Sequence, residues 1–179
     1  ITDWKTDTQF RARLPVASAG TRIVSVTGCF DVFHAPRALL LTEARKIAMG
    51  GGTVIVGLNS DHSARRLKGE GRPVFPFEAR ALVLASMRDV DFVVGFDEDT
   101  PEELIQVVRP NTLVKSEQYK PEDWFRDRTA NSGVAKIPGA RSVLQNGGVV
   151  HFTSHLAGVS TSVIRGGGAV SIDRFALGV

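Results

Sequence analysis

A doubly wound parallel α/β sheet is the fold class predicted by this 179-residue chain, and three observations predict it. Short β-branched runs alternate with stretches of helical spacing along most of the length. The first such run ends on Gly28, and a helical pattern opens soon after it. The connections between runs are long enough to hold helices, and helices that cross between neighbouring strands make them parallel and cover both faces of the sheet.

The elements follow in order. Residues 1–21 are polar and irregular and read as an N-terminal extension. Residues 23–27 (IVSVT) form a buried strand. Over 37–48 (RALLLTEARKIA), Leu40, Leu41, Ala44, Ile47 and Ala48 recur at helical spacing, and the glycines at 50–52 stop that helix. Residues 53–58 (TVIVGL) make a second buried strand, followed by a basic loop that ends at Pro73 and Pro76. The spacing predicts a second helix over 78–88 and a third strand over 91–96. Thr100 and Glu103 show a capping-box pattern, with Pro101 at the first helical position of a helix that runs through Val108. Residues 112–115 (TLVK) give a fourth strand and 121–128 a short helix. A loop-rich insertion over 129–146 precedes a fifth strand at 148–152. A last short helix begins over 161–165, and 166–179 form a Gly-rich tail.

A composition of 42% hydrophobic and 23% charged residues belongs to a globular chain and excludes intrinsic disorder. Cys29 stands alone, so no intrachain disulfide forms, and a reducing compartment is expected: cytoplasm or an organelle matrix, mitochondrial included, and not the secreted space. Cys29 itself reads as a small buried hydrophobe. No apolar run approaches the roughly 18 residues of a membrane span, and the first residues lack the apolar core of a signal peptide. A start on Ile1 rather than Met is expected of a processed or truncated chain. A net charge of +3 is too mild to argue for nucleic acid. His62, His151 and His155 lack metal-ligand spacing and read as surface or structural, so no metal is assigned to protein ligands.

Sheets of this class bind ligands beyond the carboxyl ends of their strands, where the strand order reverses. That directs attention to 28–37, 59–61, 115–119 and 160–162. Gly28 lets the backbone turn sharply. The helix start that follows offers free N–H groups and a positive dipole to a phosphate, within reach of His34 and Arg37.

The segments GCFDVFHA (28–35), GLNSD (57–61), RRLKGEGRPV (65–74), EAR (78–80), VDFVVGFDEDTPEELI (90–105), RPNTLVK (109–115), YKPE (119–122), NGG (146–148) and STSVI (160–164) together resemble the nucleotidyltransferase superfamily that carries an H-x-G-H signature after its first strand. Within it the chain is most similar to the heptose 1-phosphate adenylyltransferase domain of ADP-heptose synthesis, with glycerol-phosphate cytidylyltransferases as cousins. The resemblance covers about 22–165 and implies a Rossmann-like nucleotidyltransferase fold. It also implies a reaction: a sugar or alcohol phosphate is joined to ATP or CTP with magnesium, and pyrophosphate leaves. By position it implies catalytic roles for His34, Arg37 and Lys115. It implies nucleotide contacts from Gly28, Phe30, Asp31, Asn59 and Asp61, and from Ser160, Thr161 and Ser162 at the start of the last helix. The Arg65, Arg66, Lys68 and Arg72 cluster would meet one of the phosphates.

Departures from that pattern shape the functional expectation. The signature reads His34-Ala35-Pro36-Arg37, so Pro36 stands in place of glycine and Arg37 in place of the second histidine. Ser116, Glu117 and Gln118 replace a Gly-Gly-Asp that usually follows the lysine, and the insertion is longer than usual. These changes lead us to expect a catalytically impaired member that serves as a structural or binding subunit of a larger assembly, meeting protein partners through its extensions and insertion. An active transferase in which Arg37 supplies the missing charge is the alternative, and a nucleotide sensor is a second one. If Pro36 and the 116–118 segment fill the pocket, both ligand-binding alternatives fail.

Overall fold

The computed structural model describes residues 4–5, 10–14, 21–49, 51–122, 133–153, 164 and 166. Strands β1 (Ile23–Gly28), β2 (Thr53–Asn59), β3 (Phe92–Phe96), β4 (Thr112–Ser116) and β5 (Val149–Thr153) form one sheet in the order β3-β2-β1-β4-β5. Every neighbouring pair is parallel. The chain winds outward from β1 through β2 to β3, then returns across the sheet to β4 and β5. The order therefore reverses between β1 and β4.

Alternation along the strands divides the core into two layers. Val24, Val26, Val54, Val56, Leu58 and Val114 face helices α2 (Ala35–Ala48) and α4 (Phe77–Ala85). Ile23, Ile55, Val94 and Phe96 face α1 (Phe10–Arg13) and α5 (Glu102–Val108). Leu113 and Val150 meet α6 (Ala140–Gln145) on that same side. Close approach on the first side is set at Gly95, where an added Cβ would lie 2.7 Å from the Phe77 ring.

Several expectations are corrected here. Within the segment expected to be irregular, Phe10 and Leu14 are buried on the sheet. Two apolar residues in a polar stretch give too short a pattern to read, and burial against β2 and β3 decides their place. Part of the expected basic loop is helix α3 (Asp61–Lys68). It buries only Ser63 and Ala64, so it shows no apolar stripe. Its start is made by Ser60, whose hydroxyl accepts the Ser63 N–H at 3.0 Å. Its acidic first turn and basic last turn suit the helix dipole.

Helix α5 begins at Glu102, with no side-chain cap at its start. The expected capping box is absent because the cap position falls on Pro101 rather than Thr100. The Pro101 carbonyl accepts the Ile105 N–H at 2.9 Å, but proline has no side-chain acceptor for the next free N–H groups. The insertion expected to be loop-rich contains a 3-10 turn (Gly133–Lys136) and α6. Val134, Ile137, Ala140 and Val143 are buried from it against Ile105, Leu113 and Val150. That every-third-residue apolar spacing was present in the sequence, between turn-forming residues that masked it. The helix expected over 121–128 and the last helix over 161–165 lie largely outside the described residues, as does the tail.

Candidate functional site

Strand β1 pairs with β4 only as far as Val26 and Val114. Beyond that point the two strands lead into a crevice, and a pocket of about 260 Å³ opens there. Of the expected residues, Gly28, Phe30, Asp31, Arg37, Asn59 and Lys115 line it. His34 and Asp61 are not among the lining residues. Ser160, Thr161 and Ser162 lie outside the described residues.

Lys115 sits at the end of β4 with its side chain buried, and its Nζ donates to the Thr27 hydroxyl at 2.7 Å. Burial pushes the ammonium down to about 8, Arg37 adds to the shift and Glu102 opposes it. Arg37 occupies the first turn of α2, half-buried, with its guanidinium 5.4 Å from the centre of the Phe30 ring. Its pKa is lowered, chiefly by burial, while Tyr119 and Cys29 act in the opposite direction. No carboxylate among the described residues forms an ion pair with either cation. A buried ammonium and a half-buried guanidinium with no carboxylate partner among the described residues are costly in a folded chain, and together they favour an anion in the pocket between them.

The turn that carries these groups is braced from behind. Phe30 is buried with φ 45°, a left-handed conformation that costs a side-chain-bearing residue about 1–3 kcal/mol unless its surroundings enforce it. Arg80 supplies much of that enforcement. Its fully buried guanidinium donates to the Cys29 carbonyl at 2.6 Å and the Asn59 carbonyl at 2.9 Å. It also donates to the Phe75 carbonyl at 3.0 Å and to Asp61 Oδ1 at 2.7 Å. Asp61 therefore serves the brace rather than the pocket.

Asp31 is also engaged internally. Its Oδ1 accepts the Val74 and Phe75 N–H groups at 2.6 and 3.2 Å. Its Oδ2 meets Arg72 Nε at 2.7 Å as a charge pair, without hydrogen-bond alignment. Asn59 spends its amide on the Ser63 hydroxyl at 2.9 Å, and its Oδ1 lies 3.6 Å from Cys29 Sγ. Cys29, expected to be buried, is half-exposed on the pocket wall because it follows the strand end, where the core no longer covers it.

His34 caps α2 through its backbone, its carbonyl accepting the Arg37 and Ala38 N–H groups. Its ring Nδ1 is buried without a partner, and burial followed by the nearby Arg37 lowers its pKa. Pro36 sits within the first turn of α2 and is not a lining residue. Glu117 and Gln118 are exposed in a 3-10 turn (Glu117–Tyr119), and only Ser116 of the substituted triplet reaches the wall. The pocket is thus not closed by the departures from the signature. Of the basic cluster, Lys68 and Arg72 line it, whereas Arg66 pairs with Asp99 at 2.7 Å.

Sequence reasoning missed Thr27, Pro101 and Pro138 as wall residues. Thr27 ends a strand already recognised and was one position from the flagged turn. The prolines come together only through the packing of α5 against the insertion.

A parallel sheet with basic side chains around a pocket at its switch point is where a doubly wound α/β domain takes its ligands. The cytidylyltransferase-like family model matches residues 25–167, and the chain belongs to that family. Among its relatives, the Bifunctional protein HldE of Proteus mirabilis is 45% identical over 145 residues, 81% of this chain and 27% of that protein. The Bifunctional protein HldE of Photorhabdus laumondii is 41% identical over 160 residues, 88% of this chain and 30% of that protein. The chain therefore spans less than a third of these relatives. The organelle alternative draws no support from them, since both are bacterial. The crystal structure of a lipopolysaccharide core biosynthesis protein from Thermoplasma volcanium shares the fold, with a TM-score of 0.53 at 20% identity over 74% of this chain and 94% of that one. No described helix is long and apolar enough to cross a membrane.

Proposed function

We propose that this domain transfers a nucleotidyl group from a nucleoside triphosphate to a sugar or alcohol phosphate. In this reaction an acceptor phosphate oxygen bonds to the α-phosphorus, the bond to the β-phosphate bridge breaks, and pyrophosphate leaves. The observation that carries the reading is the pair Arg37 and Lys115, both in one pocket and neither ion-paired with a carboxylate among the described residues. Such fixed cations neutralise charge that builds on the phosphates as the bond exchanges, and the crevice holds the two reactants in line. Arg37 is suited to a two-pronged grip on a phosphate. The family resemblance supports ATP or CTP as the donor.

Magnesium accompanies triphosphates in this chemistry, but the described residues offer it no cage. No group of three His, Cys, Asp or Glu side chains is placed to hold an ion. The pocket carboxylates Asp31 and Asp99 are both paired with arginines.

A non-catalytic binding or structural subunit is the second reading, and one observation favours it. His34 is not among the residues lining the pocket and its buried Nδ1 has no hydrogen-bond partner, which speaks against an imidazole acting on the bound phosphates. Calorimetric titration with ATP and with CTP, followed by a pyrophosphate-release assay with sugar phosphates and glycerol phosphate, separates the two. Saturable binding with turnover supports the transferase. Binding without turnover leaves the sensor reading, and no heat from folded protein leaves the subunit reading.

A further inference from the structure

One carboxylate near the pocket has no place in the chemistry above. Glu102, at the first position of α5, turns toward the insertion. Its Oε1 accepts the Gly139 N–H at 2.9 Å, and its Oε2 accepts the Ser142 hydroxyl at 2.6 Å. Both partners lie at the start of α6. Gly139 has φ 86°, and an added Cβ there would sit 3.2 Å from Pro101 and 3.3 Å from Ile105. The clasp and this close packing together lock the insertion onto α5. The two residues beside the clasp, Pro101 and Pro138, form an apolar stretch of the pocket wall with Phe96. These three side chains are apolar and suit the flat face of a ring, although Asp99 also lines the pocket; Arg37 lies on α2, Lys115 on β4, and Lys68 and Arg72 at the end of α3 and just beyond it.

We infer that Glu102 is a positioning residue: by clasping Gly139 and Ser142 it sets the Pro101–Pro138 wall, against which the nucleoside part of the triphosphate rests while its phosphates lie at Arg37 and Lys115. The inference rests on the nucleotide-binding reading given above. It makes the insertion part of the substrate site rather than an appendage. Charge enters as a separate effect. Lys115 is faced by Arg37 from α2, by the Thr27 hydroxyl from β1 and by Glu102 from α5, and Asp99, Tyr119, Cys29, Lys68 and Arg72 line the same pocket. Neutralising Glu102 therefore strengthens the hold on any phosphate, whereas loosening the wall weakens only ligands that carry a nucleoside.

Pyrophosphate and ATP distinguish these effects, since pyrophosphate has no ring. The test is calorimetric titration of the full chain and of Ser142→Ala with each ligand, with the near-ultraviolet circular dichroism and melting temperature recorded for both. Ser142→Ala removes half the clasp without changing charge. ATP affinity is expected to fall about five- to tenfold, the equivalent of one net hydrogen bond, with pyrophosphate affinity unchanged. Glu102→Gln is the second variant, expected to tighten pyrophosphate while lowering the ratio of ATP to pyrophosphate affinity. An unchanged ratio in both variants overturns the inference and leaves nucleotide binding intact. If the unaltered chain binds neither ligand, the nucleotide-binding reading itself fails and this inference falls with it.

Discussion

The ammonium of Lys115 donates to the hydroxyl of Thr27 at 2.7 Å, joining the ends of β4 and β1 where their pairing stops. The contact holds a buried cation in the crevice at a cost to the fold. The Lys115 pKa of about 8 lies below the ordinary 10.5. Between those values the unfolded chain carries a proton that the folded chain lacks, so this group makes stability rise as pH goes from 8 to 10.5. Below pH 8 its destabilising contribution is complete. Anion binding runs the other way and weakens as pH rises through about 8. Lys115→Met is expected to stabilise the domain at pH 7 by on the order of 1–2 kcal/mol, after the lost hydrogen bond is counted. Phosphate affinity should fall at least about tenfold with the loss of that charge. Thermal denaturation and pyrophosphate titration of the same sample check both halves.

Arg80 is expected to be the costliest single side chain to remove. Arg80→Leu leaves the Cys29, Asn59 and Phe75 carbonyls and the Asp61 carboxylate without their donor, a loss of about 3–5 kcal/mol. Arg80→Lys is expected to recover little, because one ammonium cannot match the planar fork that reaches four acceptors. Urea denaturation measures the difference; a change under 1 kcal/mol for Leu would contradict the brace (roughly the value of an ordinary surface contact).

Asp31 ties the turn after β1 to the strap at Val74 and Phe75. Asp31→Asn keeps an oxygen for the two N–H groups and is expected to cost about 1–2 kcal/mol through the unpaired Arg72. Asp31→Ala loses both and is expected to cost about 3–4 kcal/mol. Hydrogen exchange at Val74 and Phe75 should accelerate in the Ala variant and stay slow in the Asn variant.

Position 37 predicts a pH signature. An arginine keeps its charge throughout the neutral range, so ligand affinity in the native chain should be flat between about pH 5.5 and 7 as far as this position contributes. In Pro36→Gly with Arg37→His, affinity should decline as pH rises through about 6.5, the range where histidine loses its proton. Titrations at three pH values test this, and a flat profile in the double variant would show that position 37 does not touch the ligand. Pyrophosphate release that appears only in the double variant would favour the impaired reading of the native chain.

The central strands, the turn at Gly28 and the helix that follows were legible because they depend on local pattern. Continuous runs such as 53–58 leave no polar face, and a strand buried on both sides admits little else. That Lys115 and Arg37 would come to one crevice was legible, since this topology gathers the carboxyl ends of β1 and β4 and the start of α2 at the switch point. Helix α3 was not legible, since its stability comes from Ser60, charge order and two small buried residues rather than an apolar stripe. The insertion was misjudged for a related reason: its short apolar spacing has meaning only once α5 and β5 stand beside it.

By itself, then, the chain determined its parallel order of elements and the end of the sheet at which a ligand would enter, because periodicity and crossover length leave few alternatives. Tertiary structure alone decided what each polar side chain does there. Asp31, Asn59 and Asp61 turn inward because unsatisfied N–H groups, a hydroxyl and a buried guanidinium lie within their reach. Arg37 and Lys115 line one pocket with no carboxylate paired to either among the described residues. Those assignments depend on neighbours far apart in sequence, and only the folded packing of β1, β4 and α2 brings them together.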